Sequence, residues 1–241
     1  MNRCLRWTPA LLVTVLFAVP MTANAEPSAA IGVAASITPS AESGVGTVFQ
    51  TLAPGSELHA SETVRTGDAG KADLVFVDRT NLTVGPTSEV VLDKFVYDPV
   101  GSSGKVVLQT TRGAFRFVTG TQDHSAYQIK TPYGSLGVRG TAFTCEVRPK
   151  GLNKALPSQM AGCDVKCTVE SGAVEAMTPG GNRRTFTAGQ TFCQAGGNFS
   201  VTSAESHSIN GVQGGGGTQG PGCTPKTIIL PSGSKVTIPC Q

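Results

Sequence analysis

Apolar and polar residues alternate with a period of two along most of the chain from residue 45 onward. Turn residues interrupt this alternation about every eight to twelve positions, and no stretch shows the 3.6-residue period of an amphipathic helix. Both features are typical of short β-strands that bury one face. The predicted strand segments are 48–52, 72–77, 82–84, 90–96, 106–109, 114–118, 127–130, 142–147, 165–170 and 173–177, of which 72–77 is a nearly continuous apolar run.

This pattern predicts a mainly β domain over residues 45–200, with many short strands in an irregular β-solenoid-like or, alternatively, a sandwich-like arrangement. Two segments repeat one design, because a glycine and a small residue precede an alternating strand at both Gly113 and Gly172. Gly46 begins a weaker third copy. The spacing between the copies is irregular, unlike that of fixed-period repeat families. The lack of helical segments between strands excludes parallel βαβ units.

The C-terminal part of the chain differs in composition from the domain. Residues 201–222 are rich in glycine and predict a flexible linker. The last segment, 223–241, alternates on both sides of a Pro-Ser-Gly-Ser turn and predicts a β-hairpin. Cys223 and Cys240 stand at matching distances outside the hairpin, where antiparallel pairing would bring them together. We therefore expect a disulfide there, since a two-stranded hairpin is marginal on its own.

The first 25 residues predict a cleaved signal peptide. A positively charged start precedes a short apolar segment, and Ala23 and Ala25 form an A-x-A site before Glu26. The apolar segment is too short to span a bilayer comfortably. We therefore expect a periplasmic or secreted protein, with residues 26–44 as a lead segment and no transmembrane segment in the mature chain.

Export changes the charge balance. The whole chain has a formal net charge of +3, which falls to +1 once Arg3 and Arg6 leave with the signal peptide. A nearly neutral protein offers no electrostatic footprint for nucleic acid or an anionic membrane. We therefore expect no nucleic-acid partner.

Six of the seven cysteines follow the signal peptide, an even number that suits disulfides in an oxidising compartment. Beside the hairpin pair, the sequence leaves open whether Cys145 pairs with Cys163 or with Cys167, and the cysteine left over would pair with Cys193. Cys163 and Cys167 also have C-x₃-C spacing, but a structural zinc site needs a second ligand pair. We expect neither a metal nor a cofactor.

The glycine-rich stretch GSLGVRGT, residues 134–141, is a candidate for a phosphate-binding or catalytic loop. It lacks the lysine of a phosphate-binding loop and leads into a strand rather than a helix. No G-x-S-x-G nucleophile elbow occurs in the chain. The stretch therefore does not predict a phosphate or nucleophile site.

Titratable residues do not assemble into a catalytic pattern either. The histidines, His59, His124 and His207, lie in polar, turn-like surroundings. Carboxylates such as Asp73 and Asp78 alternate with apolar residues and are interpreted as solvent-facing strand positions. We expect no enzymatic activity.

Three segments, in this order, resemble the periplasmic domain of FecR-like proteins. The first is VRTGDAGKADLVFVD at 64–78, continuing through LTVGPTSEV at 82–90. The second is GAFRF at 113–117, and the third runs from IKTP at 129 to GVRGTAF at 137–143. The resemblance covers about residues 45–195, and its family motif here comprises Gly137, Arg139, Gly140 and Thr141.

The resemblance implies a mostly β domain with strands in an irregular solenoid-like coil. Founding members relay the occupancy of an outer-membrane siderophore transporter to a sigma factor, through a cytoplasmic segment and a transmembrane helix. Here a signal peptide stands in place of the cytoplasmic segment and the transmembrane helix, and a linker with a hairpin stands in place of the transporter-contacting module that follows the domain in those proteins. We therefore expect an exported, non-catalytic protein-binding or structural module that contacts an unknown envelope protein or itself. The alternative is an accessory component of envelope or iron-uptake signalling.

The family motif is interpreted as a β-corner. Gly137 and Gly140 are expected to permit backbone angles or close approach that other residues resist. Thr141 is expected to begin a strand. Arg139 would hydrogen-bond corner carbonyls or a nearby carboxylate, so Arg139→Ala would lower stability rather than abolish an activity.

Overall fold

The computed structural model describes residues 29–98, 104–123, 125–151, 160, 162–203, 226–229 and 235–238. The predicted signal peptide, with its cleavage site at Ala23, Ala25 and Glu26, lies outside these residues. So do most of the predicted linker and the predicted pair of Cys223 and Cys240. Among the described residues, no helix is long and apolar enough to cross a membrane.

All regular elements of the described ranges are strands, which confirms the mainly β prediction. They are β1 (Ala30–Thr38), β2 (Ala41–Val45), β3 (Val48–Thr51), β4 (Glu57–His59), β5 (Thr63–Thr66), β6 (Lys71–Phe76), β7 (Asn81–Val84), β8 (Glu89–Val96), β9 (Lys105–Val118), β10 (Tyr127–Thr131), β11 (Gly134–Val147), β12 (Val165–Met177), β13 (Arg183–Thr187), β14 (Gln190–Ala195), β15 (Asn198–Ser203), β16 (Lys226–Ile229) and β17 (Lys235–Ile238).

Fifteen of these strands form one branched sheet, and β16 pairs with β17 in a separate hairpin. The main order is β15-β14-β12-β11-β10-β9-β7-β6-β1-β4. A branch leaves β9 through β8, β5 and β2 to β3, and β13 pairs with β12. The β9–β10 ladder is parallel, and the other ladders of the described strands are antiparallel.

The three longest strands change partners near their middle. The first part of β9 pairs with β8 and β10, and its second part with β7 and β11. Strands β11 and β12 change partners in the same way. The changes fall at Gly113, Gly140 and Gly172, whose φ angles are 90°, 59° and 72°. Glycine adopts these positive φ angles without a Cβ penalty, so it permits the bends.

The bends allow two arms of the sheet to enclose one hydrophobic core. The β6–β7–β9–β11 arm supplies large buried side chains such as Phe117 and Phe143. The other arm supplies Ile129, Leu136 and Phe186 to the same cluster. An edge-to-face aromatic contact joins the two arms, between the rings of Phe117 on β9 and Tyr127 on β10, with centroids 5.9 Å apart.

The two glycine segments that repeat in the sequence mark equivalent structural positions. Gly113 and Gly172 each lie at the bend of a long strand, whereas Gly46, with φ 63°, lies in the tight turn between β2 and β3. The repeated sequence therefore marks a bend within a strand at Gly113 and Gly172, and a hairpin turn at Gly46.

The start of the fold precedes the first predicted strand at Val48. Strand β1 lies inside the sheet between β6 and β4, and β2 lies between β3 and β5. The sequence of β1, AIGVAASIT, is rich in small residues and lacks regular alternation. Register shifts within the β1 ladders account for this irregular pattern, because a bulge changes which residues face the core.

Two disulfides staple the end of the domain. Cys145 and Cys167 are direct partners across β11 and β12, and Cys163 is bonded to Cys193 at the start of the β12–β14 ladder. This is one of the two arrangements that the sequence left open. Disulfides of this kind are typical of proteins in an oxidising compartment.

Candidate functional site

The corner of β11 contains three of the four residues of the family motif. Gly140 sits at the bend, and the buried Thr141 directly follows it. The Thr141 hydroxyl donates to the carbonyl of Ala173, at 2.8 Å, and accepts from the backbone N–H of Ala173, at 3.2 Å. Thr141 therefore ties the bend of β11 to β12 where regular ladder pairing is interrupted.

The bend of β12 packs directly against this corner. A Cβ on Gly172 would collide with the Gly140 carbonyl and approach the Thr141 hydroxyl. The positive φ of Gly172 adds a second reason for glycine at this position. For Gly137 neither reason applies, because its φ is not positive and the nearest atom to a Cβ would be 3.8 Å away. The corner interpretation thus fits Gly140 and not Gly137.

A second polar centre lies inside the fold around Asp78. This residue is fully buried, and Asp73 is only 5% exposed, so the interpretation of both as solvent-facing residues is wrong. The Asp78 carboxylate accepts hydrogen bonds from the Thr80 amide and hydroxyl and from the Tyr127 hydroxyl, at 2.7–2.9 Å. Burial and the neighbouring Asp78 carboxylate raise the pKa of Tyr127 to about 12. Asp78 therefore joins the β6–β7 turn to β10 as a structural centre.

Arg139 has a different environment. Leu136 and Val138 point into the core, and the Arg139 side chain, 69% exposed, lies on the opposite face of β11. Its guanidinium is 3.5 Å from the Glu175 carboxylate on β12. Glu175 also pairs with the exposed Arg183 on β13, at 3.1 Å. Two arginines thus share one carboxylate, which leaves an excess positive charge on this surface.

These side chains border a shallow open depression of about 210 Å³. Its lining includes both arginines with Glu175, and Gly137 leaves a stretch of backbone without a side chain. The remaining lining residues are mostly polar and come from the turn before β10 and from β10, β11 and β12: Ser125, Tyr127, Gln128, Ser135, Val138 and Met177. We call this surface the Arg139 corner. Its guanidinium groups can donate paired hydrogen bonds to a carboxylate or another planar acceptor.

Comparison with known families gives a match over much of the domain. Residues 62–175, just under half of the 241-residue chain, match the family model described as FecR protein. The chain carries a FecR domain. The match includes the bends at Gly113, Gly140 and Gly172 and the Arg139 corner up to Glu175. The resemblance inferred from the three sequence segments is confirmed.

Solved structures similar to the FecR-domain chain include two crystal structures from Parabacteroides distasonis ATCC 8503. Both are described as a candidate anti-sigma factor. Each is 10% identical in sequence, with a TM-score of 0.44, and each alignment covers 60% of this chain and 60% of the other. No curated protein matches the chain.

The FecR-domain motif thus combines two kinds of residue. Gly140 and Thr141 have backbone and buried hydrogen-bonding roles at this bend. Arg139 forms no buried contact and extends from the corner into solvent. All three residues belong to one sequence motif. Their exposure distinguishes the structural residues Gly140 and Thr141 from Arg139, whose side chain is accessible to a partner.

A row of polar side chains crosses the outer face of the FecR domain. Its members are direct cross-strand partners on seven successive strands, and several are joined by hydrogen bonds such as Ser36 to Asp73, at 2.6 Å, and Thr168 to Thr191, at 2.8 Å. Sequence reasoning missed this row, because it depends on strand register. The row is Ser36, Asp73, Thr83, Arg116, Thr144, Thr168 and Thr191.

Two glutamates beside this row have opposite electrostatics. Burial raises the pKa of Glu170, but hydrogen bonds from Arg116 and Thr144 outweigh it, so the net pKa is lowered. Burial likewise raises the pKa of Glu146, and the charge of Lys166 does not offset it, so the net pKa is raised. Their difference comes from direct donors, which Glu170 has at 2.7–3.1 Å.

The sequence predicts no catalytic role for the three histidines. His59 lies on β4 with its ring 3.1 Å from Glu62 and 3.7 Å from Glu57, whereas His124 and His207 lie outside the described residues. In the described part of the chain, no group of three or more histidine, cysteine or acidic side chains is arranged to hold a metal ion.

Proposed function

We propose that this protein is an exported, non-catalytic FecR-domain protein that binds another protein of the bacterial cell envelope through the Arg139 corner. The observation that carries the proposal is that the most exposed residue of the family motif, Arg139, lies beside a second exposed arginine on an open depression. The two internal disulfides fit export to an oxidising compartment.

The charge of the corner defines the surface of a suitable partner. Arg139 and Arg183 both contact Glu175, so the local charge balance is positive, whereas the whole chain has a formal net charge of only +3. A partner carboxylate could replace Glu175 as acceptor for one guanidinium without leaving a buried charge, since both arginines are exposed. We therefore infer an acidic contact patch on the partner.

The test is photo-cross-linking in intact cells. A photoreactive amino acid replaces Ser135, which lines the depression and leaves both arginines in place, in one variant and the exposed Lys105, at the start of β9, in a matched control. We expect a discrete cross-linked species from position 135 and none from position 105, with the partner identified by mass spectrometry. Recovery of the uncross-linked protein alone from both variants, at normal expression, would contradict the proposal.

The family match favours one second candidate, an accessory role in envelope or iron-uptake signalling. This role predicts altered expression of a sigma-dependent regulon when the gene is deleted. The measurement is a comparison of transcripts in the deletion strain, the parent and a strain that expresses Arg139→Glu. An unchanged transcriptome in the deletion strain would exclude this candidate and leave the protein-binding proposal standing.

A further inference from the structure

A second, smaller apolar cluster lies outside the main core. It comprises Ala30, Val33 and Val75, all at most 7% exposed, with Ala35 and Val77 packed at its border. Val33 and Val75 are direct partners in the β1–β6 ladder. Because residues alternate across a strand, Val75 faces away from the core that its neighbours Leu74 and Phe76 enter. We call this surface the outer β1–β6 face.

An apolar surface this well buried on the outer side of a sheet requires a cover, and the described residues include one. Strand β17 of the C-terminal hairpin lies in contact with both β6 and β1. The hairpin forms its own two-stranded sheet, and no ladder joins it to the larger sheet within the described strands. It therefore lies over the outer β1–β6 face and does not extend an edge of the sheet.

The sequence of the hairpin suits this position. Its register pairs residue 228 with 236 and residue 226 with 238. Alternation places these pairs on one face of the hairpin, which by sequence contains Ile228, Val236 and Ile238 together with Lys226. Thr227 and Lys235, which occupy the intervening pairs, are exposed. An apolar hairpin face opposite an apolar sheet face would stabilise a hairpin that is marginal alone.

The covalent connection permits separation. Strand β15 ends at Ser203 and β16 begins at Lys226, so about 22 residues, which span about 75 Å at full extension, connect them. A tethered segment competes with free partners at an effective concentration on the order of millimolar. A docked but unladdered hairpin can therefore leave when a tighter ligand reaches the same face.

We infer that the outer β1–β6 face is a docking surface for a β-hairpin, and that the C-terminal hairpin of this chain is its reversible occupant. The occupied state hides Val33 and Val75, and release of the hairpin exposes them. Only the biological use of this docking rests on the proposed protein-binding role. Docking itself is a property of the single chain and is measured without a partner.

The experiment uses the full chain with a protease recognition sequence inserted between Gly216 and Gly217. After cleavage of the folded protein, gel filtration separates the hairpin fragment at low concentration. A synthetic peptide of residues 223–241, oxidised, is then added to the fragment-free domain. We expect saturable binding, with backbone amide shifts confined to β1 and β6, and at least ten-fold weaker binding to the uncut chain because its own hairpin competes.

Peptide variants provide matched controls that do not depend on folding of the domain. Val236→Asp should lower affinity at least ten-fold, whereas Lys235→Ala, at an exposed position, should change it less than two-fold. Absence of binding to the fragment-free domain would overturn docking, and equal binding to cut and uncut chains would place the peptide elsewhere. A fragment that stays bound at every dilution would overturn reversibility. None of these results affects cross-linking from Ser135 at the Arg139 corner, so the two proposals fail separately.

Discussion

The Asp78 centre and the Arg139 corner each place a carboxylate among several donors, yet they differ in every other respect. Asp78 is fully buried, and its donors are hydroxyl and amide groups. Glu175 is near the surface, and its partners are guanidinium groups that are 62–69% exposed. The first arrangement stabilises the fold through bonds that water cannot replace, whereas the second keeps charge available to another molecule.

Removal of the buried carboxylate should give the largest effect. Asp78→Ala leaves the Thr80 amide and the Tyr127 hydroxyl without their acceptor inside the protein, so we expect the free energy of unfolding to fall by about 4 kcal/mol. Tyr127→Phe removes one donor and should cost about 1 kcal/mol. Urea denaturation measures both. Equal losses in the two variants would show that Asp78 is not the centre of this network.

The next largest effect should come from the bend that supports the Arg139 corner. Gly172→Ala introduces a Cβ against the Gly140 carbonyl at a positive φ, and we expect a loss of about 3 kcal/mol in unfolding free energy. Gly189→Ala is the matched control, because Gly189 also has a positive φ but open space around it. We expect the control to lose about 1 kcal/mol. A similar loss in both would remove close packing as the reason for Gly172.

Glu170 and Glu146 extend the comparison to pH. The lowered pKa of Glu170 contributes stability that is present above its unfolded pKa and is lost as the pH falls through the folded value. The raised pKa of Glu146 has the opposite effect, so stability is lost as the pH rises from the unfolded towards the folded value.

Urea titrations between about pH 3 and about pH 7 measure this difference. The advantage of the unmodified protein over Glu170→Gln should shrink as the pH falls. The stability of Glu146→Gln, relative to the unmodified protein, should grow as the pH rises. Parallel pH profiles for the two variants would contradict the assignment of opposite shifts.

Arg139→Ala should give the smallest change in stability, below about 0.5 kcal/mol, because its ion pair is long and exposed. This revises the expectation of a mainly structural role for Arg139. Thermal unfolding should be nearly unchanged, while the cross-linked species formed from a photoreactive residue at Ser135, which lines the same depression, should be lost. A large loss of stability in Arg139→Ala would instead show that Arg139 has a structural role at the corner.

The sequence predicts those structural features that are determined by residues close together in the chain. Alternation located most strands, and three quoted segments identified the FecR domain. The glycine at residue 140 could be interpreted as a corner because backbone angles depend on the residue itself. Strand β1 was missed, since its register shifts break the alternation on which the prediction depends. Asp78 was misplaced, because alternation alone cannot distinguish solvent from a buried polar centre.

The sequence by itself determined the β class, the FecR resemblance, the set of cysteines and the corner at Gly140, since each follows from residue type and spacing along the chain. The tertiary structure decided which cysteines pair, that Asp78 is buried, that Arg139 extends into solvent, that Gly113 and Gly172 lie at bends, and that β17 contacts β1 and β6. These features depend on register between strands distant in sequence, such as Val33 opposite Val75. Register is set by the packing of the whole sheet and not by any one segment.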